Sequence, residues 1–121
     1  MNLSPFFIFS GLAYLLTVAI GIWLSQKGKP YQEALFNIHK LLALAGVVLI
    51  GIHISNQYKS GVFPPILTLA IAILAALVII LFVTGALISL DKLNYKILRL
   101  LHQIVPTLLI LVGLWMVYFV Y

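Results

Sequence analysis

The chain has 121 residues, of which 64% are hydrophobic and only 7% are charged, and its formal net charge is +5 at pH 7. Soluble globular domains carry about 25% charged residues, so this composition excludes an ordinary soluble domain and predicts an integral membrane protein. The chain contains no cysteine, which excludes disulfides and thiolate metal sites. Its positive charge suits the anionic surface of a lipid bilayer, and we do not expect nucleic acid as a partner.

Four apolar runs are long enough to cross a membrane as helices, because a hydrocarbon core of roughly 30 Å needs about 20 helical residues. They cover residues 5–25, 34–54, 65–90 and 95–121. The short connections between them make neighbouring helices antiparallel. We therefore expect an all-α fold, an integral membrane four-helix up-down bundle in which residues 1–121 form a single transmembrane domain.

Basic residues are distributed unevenly among the connections, and this asymmetry predicts the orientation of the chain. The second connection and its flanks carry only Lys59, whereas the first and third carry six basic residues. Those six are Lys27, Lys29, Lys40, Lys92, Lys96 and Arg99. By the positive-inside rule, the first and third connections lie in the cytoplasm, and both termini lie outside the plasma or inner membrane.

Small and polar residues form a stripe at helical spacing on two of the spans. The first span carries Ser10, Tyr14, Thr17 and Gly21, and the third carries Thr68, Ala72 and Ala75. Because residues three and four apart share one face of a helix, we expect both stripes to turn inward. Stripes of this kind are also common as simple helix-packing seams.

All three histidines, His39, His53 and His102, lie inside spans, where an ionisable side chain is costly and marks a candidate functional site. His39 lies five residues into the second span and His102 seven residues into the fourth. Both spans begin at the predicted cytoplasmic face, so the two rings lie within about 3 Å of the same depth. Two imidazoles at one depth across a bundle core are the arrangement that bis-histidine ligation of a haem requires.

A second level of ligands lies further along the same helices. His53 follows His39 by fourteen positions and returns to nearly the same helix face, about 21 Å away. The same step from His102 reaches Met116, which is also an axial ligand type for iron. Gly46 and Gly113 lie between the two levels, where the lack of a side chain leaves room for a porphyrin edge. These residues leave open whether a second haem is ligated by His53 and completed by Met116 or by another subunit.

Two segments of the chain resemble the transmembrane b-type cytochromes with a four-helix core, the group that includes bacterial cytochrome b electron carriers and the membrane domain of ferric reductases. One segment is residues 37–54, with His39 and His53, and the other is residues 84–89 followed by residues 100–102. The resemblance implies a haem b carrier that exchanges electrons with a quinone pool and a redox partner protein. Members with two haems supply four histidines, whereas this chain has three.

These observations favour a membrane cytochrome with haem b between His39 and His102, and with Arg99 one turn from His102 to pair with a propionate. As an enzyme it would be a haem-dependent membrane oxidoreductase, because neither Asp91 nor Glu33 is placed for acid–base catalysis in the core. One alternative is a small four-span transporter, although the spans lack the internal carboxylate that such a transporter needs. Another is a non-catalytic assembly subunit whose histidines only join helices. The oligomeric state is left open.

Overall fold

The computed structural model of the chain describes residues 4–61, 63–91 and 93–120. It contains four helices, α1 (Pro5–Lys27), α2 (Glu33–Lys59), α3 (Pro65–Leu90) and α4 (Tyr95–Val120). Each of the four is long and apolar enough to cross a membrane. The expected all-α class with four membrane-length helices is therefore confirmed, and the chain is a multi-pass membrane protein. Lys92 and Tyr121 lie outside the described residues.

The helices begin and end at local signals in the sequence. The Ser4 side chain caps α1 by accepting a hydrogen bond from the Phe7 N–H, and Pro5 occupies the first turn, where a missing N–H costs nothing. Gly28 ends α1 with a positive φ of 70°. At the start of α4, the Asn94 side chain accepts a hydrogen bond from the Lys96 N–H. These ends agree with the predicted spans to within two residues.

The second helix differs from the predicted span at its carboxyl end. It continues to Lys59, whereas the apolar run ends at Ile54. Hydropathy identifies only the part of a helix that lies in hydrocarbon. The helix itself can extend beyond that part, because its backbone hydrogen bonds also form in water. Here the helix stops at Ser60 and is followed by Gly61 with a φ of 80°. The last turn of α2 is therefore a polar extension of the span.

The chain separates into two compact units, Met1–Val62 and Phe63–Tyr121. The first unit is a hairpin in which α1 packs against α2. Its antiparallel register follows from three contacts along its length. Ser4 meets His53, a Cβ at Gly46 would meet Ala13, and a Cβ at Gly21 would meet His39. The small and polar stripe of α1 thus lies against α2, as expected.

The second unit is a hairpin in which α3 packs against α4. The two helices are joined by a short connection in which Asp91 adopts the left-handed conformation, with a φ of 51°. Leu67 and Ala70 are buried in this hairpin, whereas Thr68, Ala72 and Ala75 are exposed, and the inward orientation of that stripe stays a prediction. The third helix is apolar on every face, so periodicity carries little information about its orientation.

Large apolar side chains are exposed on every helix. Leu15, Leu41, Ile79 and Leu114 are each more than 60% exposed. In water such surfaces would drive aggregation, but lipid tails solvate them without cost. This surface agrees with the membrane assignment made from composition.

The basic side chains next to the first connection pack on aromatic rings of their own helices. The Lys27 ammonium lies 5.0 Å from the centre of the Trp23 ring, and the Lys40 ammonium lies 4.1 Å from that of Phe36. Long cationic side chains at span ends extend toward the headgroups while their stems cover apolar surface. These contacts are typical of a membrane interface.

Candidate functional site

The first candidate ligand, His39, lies one and a half turns into α2 and faces α1. Its ring is partly buried, and its Nδ1 lies 2.9 Å from the backbone carbonyl oxygen of Thr17. A carbonyl oxygen only accepts hydrogen bonds, so Nδ1 carries the proton and donates it. In the neutral ring the lone pair then belongs to Nε2, the nitrogen that coordinates a metal. This tautomer is assigned from the hydrogen bond.

A glycine makes this contact with the α1 backbone possible. Within α1 the Thr17 carbonyl faces the N–H of Gly21, four residues later, and its second lone pair is available to an outside donor. A Cβ at Gly21 would lie only 2.8 Å from Cε1 of His39. A side chain here would therefore push the imidazole away from the carbonyl. Gly21 is the residue that lets the ring of His39 lie against α1.

The second candidate ligand, His102, lies two turns into α4 and faces α3. Its ring is partly buried, and its Nδ1 lies 2.9 Å from the hydroxyl oxygen of Thr84, which is only 5% exposed. The Thr84 hydroxyl also donates its single proton within α3, mainly to the Ile80 carbonyl at 2.7 Å, with the Leu81 carbonyl at 3.1 Å. A proton on Nδ1 of His102 satisfies both contacts at once. In this tautomer, which is assigned from the hydrogen bonds, the lone pair again belongs to Nε2.

A glycine again lies beneath the ring. A Cβ at Gly85 would lie 3.1 Å from Cε1 of His102, which is tighter than ordinary van der Waals contact. Each hairpin therefore holds a histidine of its second helix against a glycine of its first helix. In both, a hydrogen bond at Nδ1 orients the ring.

The third histidine, His53, has different surroundings. It is 8% exposed, its Nδ1 lies 3.0 Å from the Ser4 hydroxyl, and its ring centre lies 5.3 Å from that of Phe7. The Ser4 hydroxyl both donates and accepts, so its contact with His53 fits either tautomer. His53 joins the start of α1 to α2. Its assignment as the ligand of a second haem stays a prediction.

The remaining predicted site residues are Gly46, Gly113, Met116 and Arg99. Gly46 faces α1, where an added Cβ would lie 3.6 Å from Cβ of Ala13, so it forms part of a helix-packing seam. A Cβ at Gly113 would meet no heavy atom within 4 Å, and Met116 is partly buried. Arg99 is also partly buried, one turn before His102 on α4. Their assignment to a cofactor stays a prediction.

Sequence reasoning did not predict that Gly21 and Gly85 lie beneath the histidine rings. Gly21 was predicted as a member of an inward stripe and Gly85 only as part of a resembling segment, so neither was paired with a histidine. Glycines at closely matched positions of the two hairpins, each near the end of the first helix, are a signal in the sequence. Only the register between the helices shows which residue each glycine meets.

A haem and a metal ion bound by protein side chains alone require different sets of donors. Among the described residues, no three His, Cys, Asp or Glu side chains are close enough to hold a metal ion together. A haem iron takes four nitrogens from the porphyrin and needs only axial ligands from the protein. Metal-bound histidines characteristically donate their other ring N–H to a carbonyl or hydroxyl, as both His39 and His102 do.

Comparison with known proteins does not narrow the assignment. No protein-family model matches the chain, and neither a curated protein nor a solved structure is significantly similar to it.

Proposed function

We propose that this protein is a membrane cytochrome that binds haem b, with His39 and His102 as the axial ligands, and that it carries single electrons. The observation that supports this proposal is the matched environment of the two rings. Both Nδ1 atoms donate hydrogen bonds at 2.9 Å, which directs the Nε2 lone pair of each ring to coordination. When bound, haem b supplies a one-electron ferric/ferrous couple.

The third histidine does not share this match, because the contact of His53 with the Ser4 hydroxyl fits either tautomer. His39 and His102 instead share one tautomer, one kind of glycine contact and partial burial. A haem iron needs an unprotonated nitrogen from each axial histidine, and the tautomer assigned to both rings leaves Nε2 unprotonated.

Other residues have supporting roles in this proposal. Arg99, one turn from His102, pairs with a haem propionate, since a guanidinium forms bidentate hydrogen bonds with a carboxylate. The function is electron transfer within the membrane, with a quinone and a redox partner protein as the exchange partners. One haem per chain is the minimal stoichiometry, and a second at His53 is a separate prediction.

The proposal is tested by the reduced-minus-oxidised visible spectrum of the protein purified from cells supplied with haem. We expect the α and β bands of a low-spin haem b, which His39→Ala and His102→Ala each abolish while the helices remain inserted. His53→Ala is the matched control and keeps the bands. A colourless wild-type protein would overturn the proposal and favour a transporter or an assembly subunit.

We also propose that the chain lies in the plasma or inner membrane with the first and third connections in the cytoplasm. The support is the excess of basic residues at those connections. Reporter fusions at Gly28 and Asn94 should then report the cytoplasm, and a fusion at Ser60 the outside. The reverse pattern would move His39 and His102 toward the external face.

A further inference from the structure

The two proposed ligands differ in the group that accepts the proton of Nδ1. Thr17 and Thr84 are alike in donating their hydroxyl protons to the carbonyl four residues earlier, at 2.7 Å in each case. His39, however, donates to the backbone carbonyl of Thr17, whereas His102 donates to the side-chain hydroxyl of Thr84. Only the second contact therefore depends on the identity of a side chain.

We propose that Thr84 is a positioning residue that lowers the redox potential of the haem through His102, and that the side chain of Thr17 has no such role. A hydrogen bond accepted from Nδ1–H makes the imidazole a stronger electron donor at Nε2. A stronger donor stabilises ferric iron relative to ferrous iron. Because the Thr84 hydroxyl itself donates to the Ile80 carbonyl, the two bonds polarise each other.

Burial makes the effect of Thr84 hard to replace. The residue is 5% exposed, so water cannot readily take over as the acceptor when the hydroxyl is removed. Without that acceptor the ring of His102 also loses an orienting contact on the side of α3. The expected consequences are a weaker donor and a less restricted ring orientation.

This inference rests on the proposed function, and its test compares midpoint potentials of the purified haem protein. Thr84→Val should favour ferrous haem by about tenfold, which is an upward shift of about 59 mV for a one-electron couple. Thr84→Ser keeps the hydroxyl and should restore the wild-type potential. Thr17→Val is the matched control and should leave the potential unchanged, since the His39 acceptor is a backbone atom.

The possible outcomes separate the two proposals. An unchanged potential in Thr84→Val with haem bound overturns the role of Thr84 and leaves the cytochrome function standing. A wild-type protein without haem overturns the cytochrome function itself. If Thr84→Val does not fold, Thr84→Ala removes the same acceptor without adding a methyl group, and its potential decides by the same criterion. An equal upward shift in Thr17→Val would also contradict the inference.

Discussion

The two hairpins orient a histidine ring in the same way but with different acceptor atoms. Each presents a histidine near the start of its second helix, against a glycine near the end of its first helix. The α1–α2 hairpin holds the ring with a main-chain carbonyl, and the α3–α4 hairpin holds it with a threonine hydroxyl. The two rings share the assigned tautomer, with a proton on Nδ1 and a lone pair on Nε2. Both features are what the proposed haem ligation needs of its two histidines.

The space between each glycine and the histidine ring above it also differs between the hairpins. This difference predicts which glycine substitution affects haem binding more. An added Cβ would lie 2.8 Å from the His39 ring at Gly21 and 3.1 Å from the His102 ring at Gly85. The first distance requires the ring to move, whereas the second requires a displacement of a few tenths of an ångström. The first hairpin is therefore the less tolerant of the two.

The largest effect is expected for Gly21→Ala. The new methyl group displaces the imidazole of His39 from the Thr17 carbonyl, so the ring loses its orientation while the hairpin still folds. We expect the affinity for haem to fall by about tenfold, the scale of losing an outer-shell contact to a metal ligand, and the haem content of the purified protein to fall with it. Haem per protein and far-ultraviolet circular dichroism measure the two quantities. Gly11→Ala is the control on the same helix, since a Cβ there meets no heavy atom within 4 Å. Full haem content in Gly21→Ala would show that the clearance at Gly21 does not control the orientation of His39.

A smaller effect is expected for Gly85→Ala. The ring of His102 shifts by a few tenths of an ångström and keeps its contact with Thr84, so haem stays bound but its axial bond is altered. We expect a changed midpoint potential with near-normal haem content, and the same Gly11→Ala control applies. If haem content falls further in this variant than in Gly21→Ala, the ranking of the two hairpins by clearance is wrong.

Ser4→Ala sharpens the contrast between His53 and the other histidines. The change removes the cap of α1 and the hydroxyl bonded to His53, and losing a cap costs about 1 kcal/mol. We expect lower thermal stability in detergent with unchanged haem bands. The control is Ser89→Ala, an exposed serine whose hydroxyl bonds its own helix. A loss of haem in Ser4→Ala with wild-type stability would instead make His53 part of the cofactor site.

The smallest effect is expected for Met116→Leu. The substitution conserves volume and apolar character, and such exchanges usually cost less than about 1.5 kcal/mol. With one haem at His39 and His102, the spectrum and the potential stay as in the wild type. Potentiometric titration checks this outcome. Disappearance of one of two resolved haems, the one of higher potential, would establish the second site at His53 and Met116.

Much of the candidate site was predictable from local sequence, but the pairing of its residues was not. The depth argument for His39 and His102 needed only span boundaries and the rise per residue. The prediction for Gly46 was different, because a glycine on an apolar helix suits either a cofactor or a neighbouring helix. The structure gives it a neighbour, Ala13 of α1.

The sequence alone determined the helical class, the four spans and most of their ends, together with the positions of the three histidines. The physical reason is local, because in hydrocarbon each backbone N–H must bond within its own helix, and caps such as Ser4 and Asn94 act on adjacent residues. The tertiary structure decided which glycine lies beneath which histidine, and which nitrogen carries the proton. Those features depend on the register of one helix against another, which is set by packing between residues distant in the chain.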